Sequence, residues 1–327
     1  MCARDSQGIC IGYHASHEQF APSYLLHMSQ RAEKAGFEAV LSSDHFRPWS
    51  TGQGESGYAW SWLGAAMQAT SLHFGVVSAP GQRYHPAIQA QKMATLCEMF
   101  PGRLWVALGS GQLLNEGITG ERWPPKAERN ERLLKSFQII RSMLNGETVT
   151  YYGSVWVQSG RLYTRPSMPP LLIGAALSPE TAEWVGRWAD GLITTARPRS
   201  ELKKMVEAFN RGGGEGKPLF LKVNLSYSSD EEKALEGAWD QWRTTIFPNN
   251  ISTELGLPEQ FDSVSMLINK EEMRKRVRIS SNLDEHINWI KDDIELGFNE
   301  IYLHNVNREQ EEFIDSFGST VLPALFD

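Results

Sequence analysis

Asp44-His45-Phe46-Arg47-Pro48-Trp49 sets a carboxylate, an imidazole, a guanidinium and an indole within six residues. An imidazole titrates near neutral pH, so His45 could take the proton of a hydroxyl while hydride leaves the carbon that bears it. Trp49 could wall a flat ring or a sugar. Sequence neighbours need not converge in space, and a hydrogen-bonded structural His45 fits the same spacing. Gly109-Ser110-Gly111 opens like a dinucleotide fingerprint, but Leu114 stands where the third glycine belongs, which sets a Rossmann reading aside. What remains is a small-residue turn where a flat cofactor could approach the backbone. Gly174-Ala175-Ala176, shortly before Pro179, is the better phosphate candidate, because small residues there would bare N–H groups at a helix N-terminus. Close packing of strand on helix is the competing explanation. His14 and His17 lack an accompanying cysteine or carboxylate cluster, and no metal is expected. Arg274, Lys275, Arg276 and Arg278 read either as a solvated basic face or as an anion clamp.

The elements that must position these residues alternate along the chain. Short apolar runs predict strands at 9–13, 39–41, 74–77, 104–108, 171–174, 191–194, 219–225 and 300–303. Amphipathic stretches predict helices at 25–36, 60–70, 86–99, 127–144, 179–188, 201–209, 283–296 and 309–317. Alternation of this kind demands a parallel sheet, and eight repeats suggest a (β/α)8 TIM barrel. The reading is one domain over 1–327, with a hairpin insertion at about 146–168 and a mostly helical, charged one at about 230–280. Chemistry in such a barrel belongs at the C-terminal strand ends. That directs attention to Asp44 and His45, Ser78, then Ser110, Gln112 and Asn115, and to Thr194 and Thr195.

Composition narrows the class. Of 327 residues, 41 % are hydrophobic and 22 % charged, the profile of an ordinary globular protein. The formal charge of 32 − 39 = −7 argues against a basic nucleic-acid face. No apolar run reaches the ~20 residues of a membrane span, and the first ten residues lack a signal-peptide core. Three scattered cysteines, Cys2, Cys10 and Cys97, make a disulfide framework a poor reading and a reducing cytoplasm the better expectation.

Longer stretches carry a resemblance. Gly12-Tyr13-His14-Ala15-Ser16 with Glu18-Gln19-Phe20-Ala21-Pro22, Ser43 to Trp49, Arg83-Tyr84-His85-Pro86-Ala87 and Gly109-Ser110-Gly111 with Leu114-Asn115-Glu116 follow in order. Gly186-Arg187 and Asp190-Gly191 complete the set. Together they resemble the luciferase-like flavin and deazaflavin oxidoreductases, nearest the branch of F420-dependent glucose-6-phosphate dehydrogenases. The resemblance implies a barrel of bacterial-luciferase type, usually a homodimer, with a flavin-like ring at the strand ends. It implies His45 as catalytic base, Trp49 as its aromatic partner, and a non-prolyl cis peptide at Val77-Ser78 backing the ring. Asp44, Val77, Ser78, Gly109, Ser110, Gly111, Asn115 and Thr195 would surround the cofactor, with Gly174, Ala175 and Ala176 at its phosphate.

Two departures matter. Gln112 stands where the family has its acid, and an amide cannot deliver a proton. Of the sugar-phosphate clamp, Pro198 and Ser263 occupy the lysine positions while Arg276 matches the arginine; Arg197 or Arg199 could substitute only in part. The reading that follows is a flavin-dependent oxidoreductase with FMN as the preferred cofactor and a small-molecule substrate other than glucose 6-phosphate. The alternatives are an F420-dependent dehydrogenase of an alcohol or sugar, and a flavin-binding protein without catalysis.

Overall fold

The computed structural model describes residues 8–325; Cys2 and the first seven residues lie outside that range. Eight parallel strands form the centre: β1 (Cys10–Ala15), β2 (Ala39–Ser43), β3 (His73–Ser78), β4 (Leu104–Leu108), β5 (Leu171–Ala175), β6 (Leu192–Thr195), β7 (Leu219–Ser226) and β8 (Glu300–Asn305). They run in the order β7-β8-β1-β2-β3-β4-β5-β6, and β6 pairs back onto β7, which closes the sheet into a (β/α)8 barrel. All eight predicted strands are present. The first helix, Pro22–Lys34, starts earlier than the hydrophobic pattern indicates, because Pro22 occupies its first turn, where a missing N–H costs nothing. The predicted hairpin is the antiparallel pair Val149–Tyr152 and Trp156–Gly160. The charged insertion is helical, and it delivers a two-residue strand, Arg278–Ile279, onto the edge of β7 that hydropathy did not reveal. No described helix is long and apolar enough to cross a membrane.

Side chains alternate between the barrel interior and the surrounding helices. Inside, Trp105, Phe220 and Tyr302 fill one level: the Trp105 ring lies 4.5 Å from Phe220 and 5.4 Å from Tyr302, centre to centre. Trp105 Nε1 donates to the Tyr302 hydroxyl at 2.9 Å, which in turn donates to Glu300 at 3.0 Å. Room for these rings comes from two glycines on the adjacent strands, Gly12 opposite Tyr302 and Gly75 opposite Trp105. A Cβ on Gly12 would enter the Tyr302 ring, and one on Gly75 would enter the Trp105 indole. The barrel is thus solid below the level of its C-terminal strand ends.

The cis peptide implied at Val77-Ser78 is absent: every peptide bond among the described residues is trans. The ladder explains why. Ser78 continues β3 opposite Leu108, its carbonyl accepts from Gly109 N at 3.0 Å, and the Val77 carbonyl accepts from Asp44 N at 3.1 Å. An extended trans link satisfies both bonds without a bulge.

Candidate active site

Beyond the aromatic level, toward the C-terminal strand ends, inward positions turn polar on one arc of the barrel and small on the other. His14, Ser43 and His304 form the polar arc with Lys222; Val77, Gly109 and Ala175 form the small one, with Thr195 between them. Val77, Gly109, Ala175, Thr195, Lys222 and Asn224 all retain partial solvent exposure although they face inward. The mouth is therefore an open cleft rather than a packed plug.

His45 leaves the end of β2 and turns back over this cleft. Its Nδ1 lies 2.8 Å from Glu18 Oε1. Glu18 is buried, and its other oxygen accepts from Ser16 at 3.0 Å and Ser43 at 2.9 Å. Burial opposes its charge, but the nearby His45 imidazole, then Lys222 and His14, hold the carboxyl well below its usual range. With Nδ1 committed to a carboxylate, the other ring nitrogen of His45 is left for a ligand. Trp49 packs edge-on against His45 at 5.1 Å and against Phe261 of the insertion at 5.5 Å. The loop that carries both is pinned from below: Asn115 Oδ1 accepts from Phe46 N at 2.8 Å and Arg47 N at 3.3 Å, and Arg47 donates to the Gly256 carbonyl at 2.7 Å.

The sequence-derived candidates divide by direction. His45, Trp49, Val77, Gly109, Ala175 and Thr195 meet at the cleft, and Ser110, Gly111 and Gln112 border it, each partly exposed. Gly111 adopts φ +81°, a left-handed conformation that favours glycine, and a Cβ there would stand 2.8 Å from the Glu116 side chain. Asp44 is turned away into a buried network: its carboxylate accepts from Trp60 Nε1 at 2.8 Å, Ser78 Oγ at 2.6 Å and the Tyr84 hydroxyl at 2.9 Å. Arg83 bridges this network to buried Glu116, 3.5 Å away. Asn115 is spent on the loop. Gly174 faces outward, where a Cβ would strike Val185, so close packing accounts for it; Ala176 is buried. The following helix, Pro179–Gly186, is capped by Ser178 Oγ, which accepts from Thr181 N. Arg197 is half-buried, its charge disfavoured by burial and by neighbouring Arg276. These two cations do converge at the rim, whereas Arg199 is held on the surface by Asp292 and Glu295. Among the described residues, no group of His, Cys, Asp and Glu could hold a metal ion.

Sequence reasoning missed Glu18 and Lys222 as members of this cluster. A lysine at an inward position of the otherwise apolar run Leu219-Phe220-Leu221-Lys222-Val223 was the available signal. Glu18 had none, since its pairing spans the turn after β1 and the end of β2.

Comparison with known proteins bears on the same features. Residues 8–299 match the family model of the luciferase-like monooxygenases. An F420-dependent glucose-6-phosphate dehydrogenase from Microbacterium testaceum is 34 % identical, across 96 % of this chain and 97 % of that protein. One from Beutenbergia cavernae is 32 % identical, across 96 % and 97 %. A solved F420-dependent secondary alcohol dehydrogenase, in complex with an F420-acetone adduct, superposes with a TM-score of 0.91 at 31 % identity, covering 98 % of this chain and 99 % of that one. These relatives favour the deazaflavin over the FMN preferred from sequence. Closed barrel, polar cleft and end-to-end similarity lead to one conclusion: the chain belongs to the luciferase-like monooxygenase family of oxidoreductases.

Proposed function

We propose that this protein is an F420-dependent dehydrogenase that oxidises a small alcohol. The observation that carries the reading is the His45–Glu18 pair, 2.8 Å apart, set over an open cleft. The donor set fits a deazaflavin. Val77, Gly109, Ala175 and Thr195 offer a small-residue wall for a flat ring, and buried polar atoms of His14, Asn224 and His304 lack partners, as befits a site built around a ligand. When bound, the deazaflavin supplies the hydride acceptor. The protein does the rest: His45 takes the hydroxyl proton, Glu18 orients the imidazole and balances its charge, and Trp49 closes the side of the substrate site. Gln112 borders the cleft as a neutral hydrogen-bonding group. A glucose 6-phosphate activity is disfavoured, because the rim offers Arg197 and Arg276 without the two lysines.

Titration of purified protein with F420 and with FMN tests the cofactor. Micromolar binding of F420 and none of FMN is expected; the reverse overturns the reading. Reduction of F420 by a panel of small secondary alcohols tests the reaction. Exposed Tyr152 and Trp156 on the hairpin, with Ile88 and Met99 on the neighbouring helix, support a homodimer, for which light scattering should return twice 36.8 kDa.

A further inference from the structure

Lys222 occupies an inward position of β7, in register with Tyr302 on one side and Thr195 on the other. It lies directly above the aromatic level yet opens onto the cleft. Its ammonium reaches to 5.2 Å from the centre of the Trp242 ring and makes no ion pair or hydrogen bond among the described residues. The carboxylate in its electrostatic reach is Glu18, but both Glu18 oxygens are taken, one by His45 and the other by Ser16 and Ser43.

The other groups that face the ammonium are two imidazoles. The Gln19 amide is oriented by donating to the Val306 carbonyl at 2.7 Å and to Gln241 Oε1 at 3.2 Å. Its Oε1 therefore accepts from His304 Nε2 at 2.8 Å, which leaves His304 Nδ1 as a bare acceptor. His14 stacks at 4.4 Å from His304 with its own Nδ1 unpartnered. Burial and the nearby lysine hold both imidazoles well below their ordinary range, so both are neutral and neither competes for an anion.

An unpaired cation beside a neutral, unsaturated polar arc matches a ligand that joins an anion to a hydroxyl. We infer that Lys222 is a specificity-determining residue whose ammonium receives the carboxylate of a 2-hydroxy acid, presenting the adjacent hydroxyl to His45. The inference rests on the alcohol-dehydrogenase reading and names its substrate class. In the reaction the C–H and O–H bonds of the hydroxy acid break. A bound deazaflavin would accept the hydride with its electron pair, His45 would take the proton, and a 2-oxo acid would be released. Charge supports the assignment: Glu18 and Lys222 cancel, and the carboxylate is balanced once His45 holds the proton.

Lactate and 2-propanol differ by a carboxylate in place of a methyl group, and so do pyruvate and acetone. With F420 as acceptor, kcat/KM for lactate should exceed that for 2-propanol, and the ratio should fall about 100-fold or more in Lys222→Met. Loss of both substrates in proportion overturns the inference. Independently of turnover, pyruvate should quench tryptophan fluorescence of the cofactor-free protein saturably and acetone should not. Lys222→Met and Lys222→Gln should weaken that binding at least 10-fold; unchanged pyruvate binding overturns the inference. F420 affinity separates the two sources of an anion. If the variants lose F420 binding while the lactate ratio holds, the ammonium serves the acidic cofactor and the inference falls. If no alcohol reduces F420 but pyruvate binding depends on Lys222, the proposed cofactor reading fails and the carboxylate subsite stands.

Discussion

In the proposed mechanism His45 and Glu18, 2.8 Å apart, act as one unit, so their substitutions should differ in kind. His45→Ala removes the proposed proton acceptor and should cut kcat about 10²- to 10⁴-fold while F420 affinity stays within a few-fold. Equal loss of both would make His45 a structural residue. Glu18→Gln keeps the shape but removes the charge that opposes a protonated imidazole, and its loss should likewise fall on kcat rather than on cofactor binding. Lys222 carries a separate consequence. Burial pulls its ammonium from 10.5 down to about 8. The unfolded chain therefore holds that proton more tightly, and a charged Lys222 weakens the fold at neutral pH. The penalty is complete below about pH 8 and fades as pH rises toward 10.5. Partial exposure to the cleft moderates it. Lys222→Met should raise the Tm at pH 7 by about 2–4 °C, with the gain shrinking above pH 8. An unchanged or lower Tm at pH 7 would contradict this account.

At the scale of elements, the barrel interior depends on glycine as much as on aromatic bulk. Gly75→Ala drives a methyl group into the Trp105 indole, and overpacking of this kind costs about 1–3 kcal/mol or more; chemical denaturation should show it as a lower midpoint. The strands themselves were legible because their apolar runs are short and sharply bounded by glycine and proline, as at 104–108 and 171–175. The short strand Arg278–Ile279 was hidden, since two residues carry no periodicity. His45 and Trp49 could be read because they sit within one hexapeptide at a strand end. Glu18 could not, because its partner is 27 positions away along the chain, brought close only when β1 and β2 pair through Gly12 and Ala39. Position at a strand end is not sufficient for a place in the cleft. Asp44, Ser78 and Asn115 have the right position and polarity, yet each is consumed in holding its own loop, a distinction that depends on which way a side chain leaves the ladder.

For the whole molecule, the burial of neutral imidazoles sets the acid limit. Burial holds His17 and His286 down to about 4, while His14 and His304 are held well below their ordinary range. As pH falls from about 6.5 toward 4, the unfolded chain takes up protons that the folded one refuses, so stability is lost across that window. His17 alone contributes on the order of 3 kcal/mol to the loss. Glu18, with its carboxyl held low, adds to it in the same direction as pH falls further. Denaturant melts at pH 7, 5.5 and 4.5 should show a steep decline; a flat profile would mean that these imidazoles are hydrated and titrate normally.

The aromatic level formed by Trp105, Phe220 and Tyr302 has a kinetic corollary. A vessel stoppered at the bottom has a single doorway, so reactants cannot enter and products cannot leave by separate routes. Whichever guest lies deeper must arrive first and depart last, which turns the catalytic cycle into a queue.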